Sequence, residues 1–367
     1  MVDISKLPQH LLITPENLQE YLKNFPSQPK ELVDRKFWEG KRIFVTGISG
    51  FVGSHLAEKL LEMNCEVHGL VRRHSTPEYP NIKHIMTKVK LHEGNLDNFD
   101  SMLSIIEAVE PSVIFHLGAQ SFVPTSFRVP TETYTTNVLG TSNVLEAVRK
   151  TNLPIEGVQV ACSSEEYGKV DYENAPIHEN VPLRPMSPYG CSKVAADDLA
   201  RGHFRMYGVP TVVTRGFNHS GSRKGLQFVT SVVARQVARN ALKGGNDVVI
   251  GKPDSVRDFT HVDDMIQGYM LAVEKGRRGE PYNLGHGFGI TIENLARVAS
   301  KINGIENLNI IVDKSRFRPA EVELLLCDYS KAKKEIGYFP QRPLTVAIQD
   351  AVNHFKNNPH LLDVERH

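Results

Sequence analysis

Residues 46–53 read Thr-Gly-Ile-Ser-Gly-Phe-Val-Gly, directly after a short apolar run at 42–45 and directly before a segment with helical spacing. Glycines at Gly47, Gly50 and Gly53 let a strand turn sharply, let backbone approach a pyrophosphate, and let the next helix pack tightly on the strand. The helix N-terminus then offers free amide hydrogens and a partial positive charge to phosphate oxygens. A glycine triplet alone would fit any tight turn. The strand–turn–helix order makes this one a dinucleotide-binding turn.

The rest of the chain extends that pattern. Apolar strand-like runs recur at 65–71, 113–117 and 157–161, separated by helical spacing at 51–63, 101–109 and 137–150. Such alternation implies an α/β fold, a Rossmann-type doubly wound parallel sheet with helices on both faces. With 367 residues, the chain exceeds what one core usually holds. Past Arg215 the alternation becomes irregular, and loops rich in Gly, Ser and Arg appear at 219–225 and 251–258. This predicts a dinucleotide-binding domain over 41–216, with returns near 256–284. A smaller C-terminal substrate-binding lobe, interleaved with it, is expected over 217–367. Residues 1–40 read as an appendage. Residues 15–25 predict a short amphipathic helix with Leu18, Tyr21, Leu22 and Phe25 on one side, packing on the body or on a neighbouring subunit.

Net charge is +1, so no global field favours nucleic acid or an anionic membrane. Phosphate binding must come from local devices. No stretch reaches the roughly 20 uninterrupted apolar residues of a membrane span, and the polar start of the chain predicts no signal peptide. Cys65, Cys162, Cys191 and Cys327 are far apart, which predicts reduced thiols in a cytoplasmic protein. The 15 histidines include no pair at ligand spacing, so no metal is expected.

The second apolar run ends in Arg72 and Arg73, where an NAD-binding unit usually carries an acid. Guanidinium groups suit a 2′-phosphate, which favours NADP over NAD. Further along stands Tyr189-Gly190-Cys191-Ser192-Lys193. On a helix, Tyr189 and Lys193 share a face, and an ammonium beside a phenol favours the phenolate. Tyr189 can then exchange a proton with a substrate hydroxyl while hydride moves to or from nicotinamide. Between the two motifs, Ser163-Ser164-Glu165-Glu166 ends an apolar strand, where ligands sit in such sheets. Ser163 can hydrogen-bond the reacting oxygen. Glu165 can take a proton from carbon if burial raises its pKa. Strand alternation points Glu166 to the other face.

Together these residues resemble the extended short-chain dehydrogenase/reductases, and among them the GDP-mannose 4,6-dehydratase family. The resemblance covers roughly residues 42–350. It rests on Arg72-Arg73, His116-Leu117-Gly118-Ala119-Gln120-Ser121, Ser163-Ser164-Glu165-Glu166-Tyr167-Gly168 and Ser187-Pro188-Tyr189-Gly190. It rests also on Phe217-Asn218-His219, Arg223-Lys224-Gly225, Phe228-Val229-Thr230, Arg257-Asp258-Phe259 and Arg318-Pro319-Ala320-Glu321-Val322-Glu323.

The resemblance implies oxidation of GDP-mannose at C4 with hydride passing to bound NADP. Loss of the C5 proton, loss of water from C6 and return of the hydride to C6 would follow. It implies Tyr189 as base at O4, Lys193 as its tuner, Ser163 holding O4 in place of the usual threonine, and Glu165 as acid/base at C5 and C6. It implies that Gly47, Gly50, Phe51, Val52, Gly53, Arg72, Arg73, Asn95, Leu96, Leu117, Ala119 and Gln120 hold NADP beside Tyr189 and Lys193. Asn218, Arg223, Lys224, Val229, Arg257, Arg318 and Glu321 would hold the nucleotide-diphosphate sugar. It also implies a homodimer or homotetramer, with the loop at 74–81 contributing.

Three departures stand out. Ser220-Gly221-Ser222 replaces the dehydratases' usual Glu-Ser-Pro and is nearer the related 4-keto-6-deoxy reductases. The Arg257-Asp258-Phe259 stretch is general to the extended family. Asn95 replaces the usual aspartate facing adenine, although its carbonyl can still accept from an adenine amino group. The residues therefore leave open a nucleotide-sugar 4-ketoreductase or a 4-epimerase beside the dehydratase, both of which leave Glu165 without a task. A silent dinucleotide sensor would have little reason to retain Tyr189 and Lys193.

Overall fold

The computed structural model describes residues 3–73 and 78–364. Its strands are β1 (Arg42–Thr46), β2 (Glu66–Val71), β3 (Lys90–Glu93), β4 (Val113–His116), β5 (Gly157–Ser163), β6 (Thr211–Gly216), β7 (Asn218–Ser220), β8 (Asp247–Ile250), β9 (Val256–His261), β10 (Pro281–Leu284), β11 (Gly289–Thr291), β12 (Asn309–Val312) and β13 (Leu324–Leu325). Seven form one parallel sheet in the order β10-β6-β5-β4-β1-β2-β3. The order reverses between β1 and β4. That is the switch point at whose carboxyl edge a crevice opens.

The central strands are buried on both faces, as their unbroken apolar runs require. On one face Ile43, Val45, Val113 and Phe115 pack with helices Phe51–Glu62 and Val262–Lys275. On the other, Phe44, Ile114, Val158 and Val160 pack with helices Phe99–Val109, Gly140–Thr151 and Pro188–Tyr207. A second sheet, β11-β9-β13 with β7 beside β9, and the pair β12-β8 build the smaller lobe. Its core lies among helices Val229–Lys243, Ile292–Ile302 and Leu344–Asn357.

Several boundaries differ from the sequence reading. Of the expected return at 256–284, helix Val262–Lys275 packs on the main sheet and β10 joins it, whereas β9 belongs to the small one. The helix expected over 15–25 is confined to Leu18–Leu22. The Asn17 side chain accepts from the Thr14 amide and donates to the Leu12 carbonyl, holding the preceding residues in a turn. Leu18 and Tyr21 are buried against the small lobe, so this segment packs on the body of its own chain. The helix expected over 137–150 begins earlier, at Pro130–Tyr134, and passes through a π-helical turn at Thr135–Leu139. Of the loop at 74–81, residues 74–77 lie outside the described residues. The four cysteines are free thiols, Cys191 exposed and the others buried.

Candidate active site

A cleft of about 560 Å³ opens at the switch point. Its floor is the glycine turn. Gly47 has φ +74°, and a Cβ there would sit 3.0 Å from the Gly118 backbone. A Cβ on Gly53 would lie 2.1 Å from the Gly47 carbonyl oxygen, so helix Phe51–Glu62 can reach the strand end only with glycine there. Gly50 caps that helix without a side-chain bond, which leaves its first amides to meet a phosphate. Leu96, Leu117, Ala119 and Gln120 line the cleft. Arg72 and Arg73 border a hollow at its edge with Asn95, Asn98 and Ser101. Glycine cradle, free helix terminus and paired guanidiniums together fit a phosphorylated dinucleotide.

The chemistry is set by two elements that meet side by side. Helix Pro188–Tyr207 begins where its sequence says it should. Ser187 accepts from the Gly190 amide at 3.0 Å, Pro188 takes the first turn, and Gly208 ends the helix with φ +73°. Strand β5 delivers Ser163 and the turn Ser164–Glu166 to the same place. The two can touch because residue 190 is glycine: a Cβ there would fall 2.8 Å from the Glu165 carbonyl oxygen.

Ser163, Glu165, Tyr189 and Lys193 all line the cleft and are all buried. Burial pushes the Tyr189 phenol above its usual range, while a hydrogen bond with Ser163 draws it back. Burial lowers Lys193, whose ammonium donates to the Ala161 carbonyl at 2.7 Å rather than to the phenol. The expected Tyr–Lys pair is therefore present as neighbours one helical turn apart, each dominated by desolvation. Glu165 is paired with Arg318, Nη1 to Oε1 at 3.3 Å.

The residues expected at the sugar nucleotide divide. Asn218, Lys224 and Arg318 line the cleft. Lys224 donates to the His219 carbonyl and lies over the rings of Phe228 and Phe51, at 5.0 and 5.7 Å from their centroids. Burial pulls it down to about 7. Arg223 is not brought to the cleft. It turns towards helix Phe51–Glu62 and grips Glu58 at 2.5 and 2.7 Å, and it also donates to the Asn81 carbonyl. Arg257 is buried, paired with Glu321 at 3.2 Å and bonded to the Val256 and Val322 carbonyls. It and Glu321 stand outside the cleft lining, and Val229 packs into the small-lobe core.

Sequence reasoning missed Asn137, in the π-helical turn. Its side chain accepts from the Gln120 amide at 2.8 Å and donates to the Gln120 carbonyl at 3.0 Å and to Ser192 Oγ at 2.9 Å. It thus ties the cofactor side of the cleft to the catalytic helix, and π-turns recur at such sites. A buried amide within an apolar helical stretch was the available signal. Phe122 and Phe228, which pack edge to face with centroids 5.6 Å apart, also line the cleft and were missed.

The sequence profile of the GDP-mannose 4,6 dehydratase family matches residues 44–351. The GDP-mannose 4,6-dehydratase of Vibrio cholerae serotype O1 is 33% identical over 347 residues, 85% of this chain and 92% of that protein. The human GDP-mannose 4,6 dehydratase is 31% identical over 336 residues, 84% and 90% of the two chains. Among solved structures, the RMD of Pseudomonas aeruginosa complexed with NADPH superposes with a TM-score of 0.74 at 29% identity, covering 87% of this chain and 99% of that one. The dTDP-glucose 4,6-dehydratase DesIV of Streptomyces venezuelae, with NAD bound, gives 0.76 at 26%, covering 88% and 99%. Matched along most of its length and built on the same parallel sheet, the chain belongs to the GDP-mannose 4,6-dehydratase family of extended short-chain dehydrogenase/reductases.

Proposed function

We propose that this protein is a nucleotide-sugar 4,6-dehydratase that uses NADP and converts GDP-mannose to GDP-4-keto-6-deoxymannose. The observation that carries the reading is the placement of Glu165. A buried carboxylate stands in one cleft with Tyr189 and Ser163, and ketoreduction or 4-epimerisation gives such a carboxylate nothing to do. The glycine turn with Arg72 and Arg73 would hold NADP, which would supply the acceptor for the C4 hydride and its donor at C6. Tyr189 takes the O4 proton, and because burial favours the neutral phenol, its phenolate depends on the positive charge of Lys193 one helical turn away. Ser163 holds O4. Glu165 removes the C5 proton, which the C4 ketone has acidified, and passes it to the departing C6 oxygen; as hydride reaches C6, C5 takes up a proton that balances the one Tyr189 drew from O4. Lys224 and Arg318 are the cations facing the cleft on the substrate side, and they meet the diphosphate. Phe228 and Asn218 flank the nucleotide.

Work as a homodimer or homotetramer belongs to the same proposal. Tyr134, Leu139, Met206 and Tyr207 expose apolar surface on the catalytic helix and the helical stretch beside it, and such surface favours association. Among the described residues no helix is long and apolar enough to cross a membrane.

The test is a mass spectrum of GDP-mannose after incubation with the pure protein and trace NADP. The expected product has lost one water with no net reduction. Glu165→Gln should abolish that loss while leaving NADP binding intact. A substrate left unchanged, together with NADPH-consuming reduction of the 4-keto sugar, would replace the dehydratase reading with the ketoreductase one.

A further inference from the structure

Glu166 is fully buried on the opposite side of the catalytic turn from the cleft. Its Oε1 accepts from the Ser163 amide at 2.7 Å. Ser163 Oγ in return accepts from the turn, lying 3.2 Å from the Glu165 amide, so the two side chains cap each other's backbone. The other oxygen of Glu166 faces Arg215 Nε at 3.4 Å. Arg215 pairs with Asp197 at 2.8 Å and donates to the Tyr167 hydroxyl and the Glu179 carbonyl, both at 3.1 Å. Asp197 stands one helical turn beyond Lys193 and two beyond Tyr189. Its second oxygen lies 2.9 Å from Arg201 Nε. Glu166 is thus the joint between the strand end that carries Ser163, strand β6 and the catalytic helix.

This arrangement bears on the Ser163 hydroxyl. Its oxygen already accepts from a turn amide, so its proton is the part left to donate. The direction of that proton depends on the turn, and Glu166 holds the turn. We infer that Glu166 is a positioning residue for the reaction: by holding the Ser163 amide, with its other oxygen set against the Arg215 charge, it aims the Ser163 hydroxyl at Tyr189 and the reacting sugar oxygen. The inference rests on assigning Ser163 and Tyr189 to the chemistry.

Glu166 is faced by Cys162 from β5, Lys193 and Asp197 from the catalytic helix, and Arg215 from β6. Burial and the Asp197 carboxylate push it up to about 8, with Arg215 opposing. Its Oε1 can accept from Ser163 in either protonation state. The ligand atoms of Cys162, Glu166 and Asp197 lie within 4.8 Å of one another, but the Arg215 guanidinium already supplies the positive charge among them. The cluster is therefore better suited to holding the turn than to holding a metal ion.

The test is a double-mutant cycle between Ser163→Ala and Glu166→Gln, with Glu166→Leu alongside. For each protein, kcat and KM for GDP-mannose and the affinity for NADP are measured. Measured at about pH 9, where Glu166 is a carboxylate, Glu166→Gln keeps an acceptor but turns a donor towards Arg215, so kcat is expected to fall about threefold to tenfold. Glu166→Leu removes the acceptor and should lower kcat about a hundredfold, the scale of a small misplacement of a reacting group. KM and NADP affinity should stay within about twofold of wild type, by the same argument. In the Ser163→Ala background, Glu166→Gln should cause no further loss. An equal loss in both backgrounds, or wild-type kcat for Glu166→Gln, overturns the inference. Should the leucine variant not fold, the cycle with glutamine decides alone. A wild-type protein inert towards GDP-mannose sinks the dehydratase reading, and the inference falls with it; an active wild type with an additive cycle sinks the inference only.

Discussion

Lys224 lies half-buried between Phe51 and Phe228, its ammonium donating to a carbonyl and drawn down to about 7 because the loss of surrounding water disfavours the charge. A diphosphate binds the charged form. Below pH 7 the lysine is already protonated, and above it each binding event must first recruit a proton. KM for a nucleotide-diphosphate sugar should therefore rise as pH increases, by about tenfold between pH 6 and pH 8 for a single group of this kind. Steady-state kinetics across that range check it, and Lys224→Met should raise KM and flatten its pH dependence. A wild-type KM independent of pH would remove Lys224 from diphosphate binding. At this scale the sequence was legible where local rules decide. Strand alternation set Glu165 and Glu166 on opposite sides, a separation the structure makes with a turn at Ser164–Glu166 instead of a strand, and helical spacing set Tyr189 and Lys193 one turn apart. Arg223 was misplaced because its partner, Glu58, is 165 residues away and only the assembled fold brings them together. The tie of Lys193 to Ala161 rather than to the phenol is equally a tertiary fact.

The elements around the cleft differ in how much of their geometry is written locally. The catalytic helix shows both of its ends in sequence, with Ser187 and Pro188 at the start and Gly208 at the finish. The glycine turn shows its function in sequence but hides how little room it has. A Cβ at Gly53 would meet the Gly47 carbonyl at 2.1 Å, backbone against backbone, whereas Gly208 has nothing within 4 Å. Gly53→Ala should therefore force helix Phe51–Glu62 away from β1 and weaken NADP binding by roughly a hundredfold, the scale of a misplaced phosphate site. Gly208→Ala, which meets only the left-handed backbone penalty, should cost about 1–2 kcal/mol of stability and leave NADP binding unchanged. Titration of both variants with NADP, beside their melting curves, separates the two effects. The π-helical turn at Thr135–Leu139 was invisible beforehand. Its residues have ordinary helical spacing, and the extra residue per turn is justified only by what Asn137 reaches.

Across the whole molecule, the segment before β1 had no chemistry to announce it, yet it runs over both lobes. Leu7 and Leu12 pack with Val256, Leu324 and Leu326 of the small sheet, and Ile13 donates to the Gly289 carbonyl at 2.8 Å. Further on, the Gln341 side chain bonds the amide and carbonyl of Lys30, both at 2.8 Å. The Leu32 amide donates to Gln267 at 2.9 Å, and Trp38, fully buried, donates to Glu274 at 3.1 Å. Gln267 and Glu274 lie on helix Val262–Lys275, beneath the main sheet. Tyr21 is the midpoint of this strap. Its buried hydroxyl accepts from the Leu344 amide at 2.6 Å and bonds His286 Nε2 at 3.0 Å, while Phe25 stacks on the His286 ring. Tyr21→Phe keeps the packing and leaves the Leu344 amide without its partner, a loss of about 1–3 kcal/mol. In a chain of 367 residues that corresponds to a fall of roughly 1–4 °C in Tm. If the strap makes the two lobes one cooperative unit, the variant should melt in a single transition at the lower temperature, with NADP binding unchanged because the glycine turn lies elsewhere. Two separated transitions in calorimetry, only the small-lobe one displaced, would show instead that the strap stabilises the small lobe alone and that the lobes unfold independently.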